Sequence, residues 1–240
     1  MTEELKKGIK VLDVGCGTGV WCVEMATEFQ ESSFIGTDIT EVFAATPLVP
    51  SNCSFIQADT QKGLPFEENT FDFVFMRAQT LCYPEKIWPD VIKELARVAK
   101  VNGMVEIFDT TVTVRDGGPS FTTLINEWLA TALRMRDIDT TVIARLEPMF
   151  VSAGIGPVTH LSTQWPLGWD PTNTQYTKMS KENVLSLLQG IKPQILAALG
   201  IADKEYTKHF DNVELEFGEY KPHFDLEFYY GRKNGASKSS

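Results

Sequence analysis

A run of alternating glycines near the amino terminus constrains the fold of this chain more than any other feature. The apolar stretch Val11-Leu12-Asp13-Val14 leads directly into Gly15-Cys16-Gly17-Thr18-Gly19. This pattern predicts a buried strand, a sharp turn and the start of a helix. Glycine suits such a turn because it adopts positive φ readily and lets a ligand approach the main chain. The stretch therefore predicts a nucleotide-type binding turn at a helix N-terminus.

The spacing of these glycines indicates which nucleotide the turn binds. A dinucleotide fold requires G-x-G-x-x-G, whereas here Gly19 comes one position early and Val20 stands at the expected place. Asp13 would repel an anionic pyrophosphate and attract the ammonium and sulfonium groups of S-adenosylmethionine. The pattern D-x-G-x-G-x-G thus favours S-adenosylmethionine over NAD. The cofactor residues predicted in this stretch are Asp13, Gly15, Cys16, Gly17 and Gly19.

A carboxylate at the end of the next predicted strand extends the site. Asp38 ends the strand Ser33–Asp38 and follows Gly19 by 19 residues. That spacing is close to the roughly 20 residues that place a carboxylate against the ribose hydroxyls. The alternative for Asp38 is a helix N-cap, a role for which Thr40 competes. We expect Asp38 to bind the ribose and the adjacent Ile39 to contact the cofactor.

A second strand-end acid is predicted to read the adenine. Asp59 ends the predicted strand Cys53–Asp59, and its carboxylate can accept a hydrogen bond from the exocyclic amine. The alternative is a turn aspartate before Thr60, since aspartate is common in turns. Ala58 and Thr60 flank Asp59 and are included in the predicted cofactor site.

The fourth predicted strand, Phe71–Arg77, is almost continuously apolar, as a central parallel strand is. Its carboxyl end lies where open α/β sheets bind ligands. Arg77 could hold the carboxylate of S-adenosylmethionine or an acidic substrate, and the alternative is a structural ion pair. The N/D-P-P-Y-like turn that is usual in enzymes that methylate base amines does not follow this strand, which disfavours DNA or RNA as acceptor.

Strands and helices alternate strictly through the first half of the chain, and this order predicts a parallel sheet with right-handed crossovers. In that half, a helix is expected over Trp88–Lys100, and Gly103 is expected to turn the chain into a fifth strand. In the second half we expect an amphipathic helix over Phe121–Leu133, a sixth strand near Gly156–Ser162 and a loop over Trp165–Pro171 that covers the site. A helix capped by Ser180 should follow, interrupted at Gly190 and Pro193 and ended by Gly200. The remaining elements expected are a helix over Asp203–Phe217, a last strand over Phe224–Gly231 and a disordered tail from Lys233 to Ser240. We expect a single domain over residues 1–232, with a cofactor-binding half (1–110) and a substrate half (111–232).

Composition restricts the partners of the chain. At 240 residues it is long enough for one well-cored domain, and its net charge of -10 argues against a large nucleic-acid surface. The four cysteines lack C-x-x-C pairing and the three histidines lack H-x-x-x-H spacing, so no metal site is expected. The sequence shows no signal peptide and no long apolar run. We therefore expect a soluble protein of the cytoplasm or nucleus with no membrane partner.

These motifs together resemble those of class I S-adenosylmethionine-dependent methyltransferases. The segments that carry the resemblance are Asp13–Gly19, Gly36-Thr37-Asp38, Gln57-Ala58-Asp59 and Phe71-Asp72-Phe73-Val74. Within the class the chain looks most like the fungal LaeA-like (UMTA) methyltransferases, which are associated with secondary metabolism. The segments that carry this closer likeness are Gly19-Val20-Trp21, Arg77-Ala78, Val101–Ile107, Leu167-Gly168-Trp169 and Tyr229–Lys233.

The resemblance implies a Rossmann-like three-layer α/β sandwich with a mostly parallel seven-stranded sheet and an antiparallel last strand. It also implies S-adenosylmethionine as cofactor and a small-molecule or protein methyl acceptor. Relatives carry a helical segment before the first strand that helps to close the cofactor pocket. We expect that segment to be missing from this chain.

Methyl transfer is an in-line displacement in which a protein contributes mainly proximity and alignment. A base would help if the acceptor is a hydroxyl, and Glu106 and Asp109, at or beside the carboxyl end of the fifth predicted strand, are the candidates. One alternative is a regulatory protein that binds S-adenosylmethionine and acts through partners. A further alternative, an NAD oxidoreductase, is disfavoured by Gly19 and Val20.

Overall fold

A seven-stranded sheet is the framework of the computed structural model, which describes residues 1–170 and 172–235. The strands are β1 (Lys10–Val14), β2 (Ser33–Asp38), β3 (Cys53–Gln57), β4 (Phe71–Arg77), β5 (Ala99–Thr110), β6 (Thr159–Pro166) and β7 (His223–Arg232). Their order across the sheet is β3-β2-β1-β4-β5-β7-β6. Strands β1 to β5 are parallel, and β7 runs antiparallel to both of its neighbours, β5 and β6. The predicted mostly parallel sheet with an antiparallel last strand is confirmed.

Helices cover both faces of this sheet. The helices are α1 (Thr2–Lys7), α2 (Val20–Glu28), α3 (Trp88–Val98), α4 (Pro119–Thr122), α5 (Ala130–Arg134), α6 (Glu147–Ser152), α7 (Thr174–Leu199) and α8 (Asp203–Glu219). Alternate residues of a strand point to opposite faces, so Val11 packs with α1 and α2, whereas Leu12 packs with α3 and α6. The predicted three-layer sandwich is confirmed.

Short helical turns complete the described elements. The 3-10 turns span Glu41–Ala45, Thr60–Lys62, Glu85–Ile87 and Thr140–Arg145. A π-helical segment, Thr123–Leu129, joins α4 to α5, so the predicted helix over Phe121–Leu133 is one helical run with a wider middle turn. This run packs with α7 and α8 into a separate apolar cluster beyond the sheet.

The start of α7 differs from its prediction because Ser180 does not cap it. Asn173 is the cap, and its side-chain oxygen accepts from the Tyr176 N–H at 2.9 Å. The Ser180 hydroxyl lies inside the helix and accepts from the Gly168 N–H at 3.0 Å. Ser180 therefore fixes the preceding loop to α7 and does not start the helix.

Helix α7 also continues through Gly190 and Pro193, where the sequence predicts an interruption. Its residues Leu188, Ile191 and Ile195 are buried in the helical cluster. Burying such side chains yields about 1.5–3 kcal/mol each, so the three together outweigh the cost of about 3 kcal/mol for a proline in a helix. The helix ends at Gly200, as predicted, with φ 68°.

Strand β5 begins at Ala99, earlier than predicted, and Gly103 lies inside it. A Cβ at Gly103 would lie 2.9 Å from Lys100 O and 3.0 Å from Phe71 O. Close approach of neighbouring backbone, and not a turn, therefore requires glycine there. Helix α3 correspondingly ends at Val98, two residues short of the predicted boundary.

The carboxyl-terminal segment is more ordered than predicted as far as it is described. The Lys233 ammonium group donates to Asn69 Oδ1 and to Ala99 O, both at 2.9 Å. Lys233 thus belongs to the folded sheet edge and not to a disordered tail. Residues 236–240 of the predicted tail lie outside the described residues.

Candidate cofactor-binding site

The N–H groups of the first glycine-turn residues are hydrogen-bonded within the protein. The Gly15 and Cys16 N–H groups donate to Thr37 O at 2.8 and 2.9 Å. The Gly17 N–H donates to Asp38 Oδ2 at 2.9 Å. A pyrophosphate site needs such donors to be free for the anion. The turn therefore binds itself to the end of β2, and this geometry does not suit a dinucleotide.

A cleft of about 120 Å³ opens beside this turn at the carboxyl ends of the parallel strands. Strands β2 and β3 lie on one side of β1, and β4 and β5 lie on the other, so the direction in which strands are added to the sheet reverses at β1. Ligands of open α/β sheets bind at such a point. Six predicted cofactor residues line the cleft: Gly15, Asp38, Ile39, Ala58, Asp59 and Thr60. A larger hollow of about 240 Å³ at the amino-terminal ends of the strands contains no predicted site residue.

Asp38 ties the glycine turn to the cleft. Besides the Gly17 N–H, its carboxylate accepts from the Thr40 N–H and hydroxyl, both at 3.0 Å. Thr40, and not Asp38, occupies the N-cap position of the following 3-10 turn. Asp38 lines the cleft, where the predicted ribose contact requires it to be. Its role toward a ribose stays a prediction.

Asp59 has the turn role that the sequence left as an alternative. Its carboxylate accepts from the Gln61 N–H at 3.0 Å and lies 3.2 Å from the Lys62 ammonium group. It also lines the cleft together with Ala58. Capping the short turn thus places the carboxylate at the cleft wall, and its predicted contact with adenine stays a prediction.

Asp13 lies beneath the glycine turn and does not line the cleft. Its side chain is 3% exposed and accepts from the Cys22 thiol at 3.5 Å. Burial raises the pKa of Asp13 to about 7, while the Cys22 hydrogen bond and the Arg77 charge act to lower it. Asp13 therefore lies under the turn, and its predicted role toward the cofactor stays a prediction. Of the remaining predicted turn residues, Cys16, Gly17 and Gly19 shape the turn without lining the cleft.

Arg77 is an exposed cation at the carboxyl end of β4. Within residues 1–170 and 172–235 it forms no ion pair, in contrast to the structural alternative. Its charge acts on Asp13 from the level of the strand ends. Arg77 is therefore available to an anionic group bound at this edge.

Four cleft residues were not predicted: Gln61, Gln79, Cys82 and Tyr83. Gln79 follows the end of β4 and could have been found from the rule that ligands bind at strand ends. Cys82 and Tyr83 carry no such signal, because the turn after β4 has to be known before they can be placed. Gln61 reaches the cleft through the turn that Asp59 caps.

Neither predicted base is presented to the cleft. Glu106 lies four residues before the end of β5, opposite Phe75 and Tyr230, so it is mid-strand and not at the carboxyl end. Asp109 is at the strand end, but it is 3% exposed and accepts from backbone N–H groups. Both positions correct the expectation of a free base near the end of the fifth strand.

The loop expected to cover the site packs elsewhere. Trp165 and Pro166 belong to β6, which is shifted toward the carboxyl terminus from its predicted position because it pairs with β7 along its whole length. The Trp169 indole N–H donates to Pro222 O at 2.7 Å, and Gly168 lies against Phe217. The described part of this loop therefore closes the helical cluster and not the cofactor cleft. Pro171 of the predicted loop lies outside the described residues.

The region around the glycine turn is similar to a known protein family. A family described as a methyltransferase domain matches residues 11–103. Demethylmenaquinone methyltransferase of Staphylococcus aureus (strain MRSA252) is 32% identical over 114 residues, which are 44% of this chain and 45% of that protein. Secondary metabolism regulator LAE1 of Cochliobolus heterostrophus is 26% identical over 87 residues, or 36% of this chain and 27% of that protein. The chain thus aligns with less than half of each relative.

Solved structures share the whole fold. Phosphoethanolamine N-methyltransferase 2 of Haemonchus contortus, crystallised with phosphomonomethylethanolamine and S-adenosylhomocysteine, superposes with a TM-score of 0.60 at 17% identity. The superposition covers 96% of this chain and 50% of that chain. The same enzyme was also crystallised with S-adenosylmethionine. At this identity the likeness shows the fold alone.

Residues 11–103 therefore match a methyltransferase domain, and the chain shares its fold with a solved N-methyltransferase that was crystallised with S-adenosylhomocysteine. The family match and the ligand-bound neighbours support S-adenosylmethionine as the cofactor. Over the described ranges no helix is long and apolar enough to cross a membrane. The same part of the chain holds no group of three or more metal-ligating side chains that could bind an ion.

Proposed function

We propose that this protein transfers a methyl group from S-adenosylmethionine to a small-molecule or protein acceptor. The observation that carries the proposal is the cleft beside Gly15, with Asp38 and Asp59 on its walls. The glycine turn has no free N–H groups at Gly15, Cys16 and Gly17 for a pyrophosphate, and the buried Asp13 carboxyl lies below it. This combination favours a cationic nucleoside ligand over NAD.

The residues of the cleft fit the parts of such a ligand. Asp38 offers carboxylate oxygens to ribose hydroxyls, Asp59 offers them to the adenine amine, and the exposed Ile39 side chain offers an apolar surface. Arg77 does not line the cleft, but it is exposed at the end of β4 and offers its guanidinium group to the methionine carboxylate. When bound, the sulfonium supplies both the methyl group and the leaving group. The chain's own contribution is then to bring the acceptor close to the methyl group and to align the two.

The nature of the acceptor is a finer part of the proposal. The partial likeness to Secondary metabolism regulator LAE1 supports a role in fungal secondary metabolism, in line with the LaeA-like features of the sequence. The likeness to demethylmenaquinone methyltransferase supports a catalytic rather than a purely regulatory protein. Because neither predicted base faces the cleft, we expect an acceptor that is nucleophilic without deprotonation by Glu106 or Asp109.

The direct test is transfer of a labelled methyl group. Purified protein would be incubated with methyl-labelled S-adenosylmethionine and a fungal extract separated into small molecules and proteins. The Asp38→Ala variant serves as the matched negative control. Label that enters one fraction with the wild type only would support the proposal and identify the acceptor class. Cofactor binding without any transfer would favour a regulatory protein instead.

A further inference from the structure

The wall of the cleft nearest the glycine turn is a strained backbone turn after β4. Ala78 has φ 56°, in the left-handed region that residues with a Cβ rarely adopt. Its N–H donates to Phe108 O in β5 at 3.1 Å. Such a conformation costs about 1–3 kcal/mol and persists only where surrounding contacts hold it. The end of β5 supplies those contacts.

Asp109 is the strongest of these contacts. Its carboxylate accepts from the Gln79 N–H at 2.6 Å and from the Thr110 N–H at 2.8 Å. The side chain is 3% exposed, so these bonds form away from water. One donor meets each carboxylate oxygen, so both oxygens have to be acceptors. Asp109 therefore fixes the path of the turn from below.

Gln79 extends this fixation to the glycine turn. Its side-chain amide donates to Gly15 O and to Arg77 O, each at 3.2 Å. A Cβ added at Gly15 would lie 2.4 Å from the Gln79 amide carbon, so the two residues are in direct contact. The amide thus bridges the carboxyl ends of β1 and β4, between which the cleft opens.

We propose that Asp109 is a positioning residue for cofactor binding, which acts through Gln79 to set the separation of the β1 and β4 ends. The inference rests on the proposed function, because it assigns Asp109 a task in binding S-adenosylmethionine. Asp109 touches no ligand in this assignment. This positioning role takes the place of the role of base that the sequence predicts for Asp109.

The ionisation of Asp109 gives this assignment a pH signature. Burial raises the pKa of Asp109 to about 7, and the backbone hydrogen bonds act against that rise. Protonation turns one of its oxygens into a donor, which opposes the N–H groups of the turn. Affinity for the cofactor should therefore fall as pH decreases from 8 to 6. Neighbouring elements carry other titratable or charged groups. Glu227 on β7 pairs with His160 on β6, and Cys82 lies in the turn after β4 with Arg136 near it. Arg145 lies on the 3-10 turn that contacts β5.

The test compares two Asp→Asn variants by calorimetric titration with S-adenosylmethionine at pH 6 and pH 8. Asp109→Asn places an amide donor among the N–H groups, and we expect its dissociation constant to rise at least tenfold at pH 8. Asp72→Asn is the matched control, because Asp72 also accepts a backbone N–H, from Lys10 at 2.9 Å, but at the opposite end of the sheet. We expect Asp72→Asn to bind within about twofold of the wild type.

The pH dependence separates positioning from general stabilisation. The ratio of dissociation constants between pH 6 and pH 8 should be smaller in Asp109→Asn than in the wild type and in Asp72→Asn. An unchanged ratio and affinity in Asp109→Asn would overturn the inference while the proposed function stands. A wild type that binds no S-adenosylmethionine would instead remove the proposed function.

A measurement on the wild type covers the case in which Asp109→Asn does not fold. The amide resonances of Gln79 and Thr110 should move together with pH, with the midpoint seen for cofactor affinity. Resonances that do not move between pH 6 and pH 8 would overturn the inference.

Discussion

At the level of single residues, Asp38 joins two functions in one carboxylate. It holds the Gly17 N–H and Thr40 while it lines the cleft. We expect Asp38→Ala to weaken S-adenosylmethionine binding about 10- to 100-fold, because hydrogen bonds to a charged group contribute about 1.5–3 kcal/mol. Asp38→Asn, which keeps an acceptor but no charge, should fall between this variant and the wild type. Calorimetric titration measures all three, and normal binding by Asp38→Ala would exclude the ribose role.

Two buried carboxyl groups make stability depend on pH. Burial raises the pKa of both Asp13 and Asp109 to about 7, from an ordinary value near 4. Between about pH 4 and pH 7 the folded protein holds protons that the unfolded chain has released. The free energy of unfolding should therefore decrease as pH rises through this range, by up to about 1.4 kcal/mol per pH unit for each group.

Urea unfolding at pH 5 and pH 7 checks this dependence with two variants. Asp13→Asn should show a smaller decrease than the wild type, because one of the two groups no longer titrates. Asp72→Asn should leave the decrease unchanged, since hydrogen bonds with Lys100 and Lys10 outweigh burial and lower the pKa of Asp72. Equal slopes in the wild type and Asp13→Asn would contradict the assignment for Asp13.

Sequence reasoning at this scale succeeded where a residue's place follows from a strand end. Asp38 is predicted from its spacing to the glycine turn and Asp59 from its place at a strand end, and both line the cleft. Gln79 was missed because its contact with Gly15 depends on the left-handed backbone at Ala78. Spacing rules contain no information on such a conformation. Asp109 is a candidate base in the sequence for the same reason, since its contact with the Gln79 N–H depends on that turn.

At the level of elements, α8 supports the start of the helical run that begins with α4. The Glu216 carboxylate, 8% exposed, accepts from the Ser120 and Phe121 N–H groups at 2.7 and 2.9 Å. A carboxylate at a helix N-terminus accepts hydrogen bonds from backbone N–H groups that have no partner within the helix, and it interacts favourably with the helix dipole. We expect Glu216→Ala to lower the free energy of unfolding by about 3 kcal/mol, since it leaves buried donors without a partner.

The matched control for this prediction lies on the same helix. Glu214 is 63% exposed at its side chain and pairs with Lys181 at 3.0 Å. Glu214→Ala should change the free energy of unfolding by less than about 1 kcal/mol, as exposed ion pairs do. Urea unfolding of both variants compares them directly. Equal losses would show that Glu216 does not cap the run.

Element boundaries were predicted well where periodicity and caps agree. Strands β2 and β4 match their predicted ranges, and Gly200 ends α7 as expected. Errors occurred where tertiary packing outweighs a local signal. Pro193 does not break α7 because apolar residues on both sides of it are buried. Ser180 resembles a cap in sequence, but its hydroxyl bonds to Gly168, and that contact exists only in the folded protein.

At the level of the whole molecule, the strand order and the glycine turn together define the cofactor edge. The alternation of strands and helices predicted the parallel part of the sheet, and the resemblance to methyltransferases implied its antiparallel last strand. The helical cluster of α4, α5, α7 and α8 could be predicted only as separate helices, because their mutual packing leaves no pattern of fixed spacing. All residues that line the cofactor cleft lie in the first half, and the role of the second half in binding an acceptor stays a prediction.

Thermal unfolding with S-adenosylmethionine, S-adenosylhomocysteine and NAD, each added separately, tests the assignment of the cofactor most directly. A ligand at about 100 times its dissociation constant adds roughly 2.7 kcal/mol, which corresponds to about 5–10 °C for a domain of this size. We expect such a rise with both adenosyl ligands and none with NAD. A rise with NAD alone would contradict the assignment of the cleft to S-adenosylmethionine.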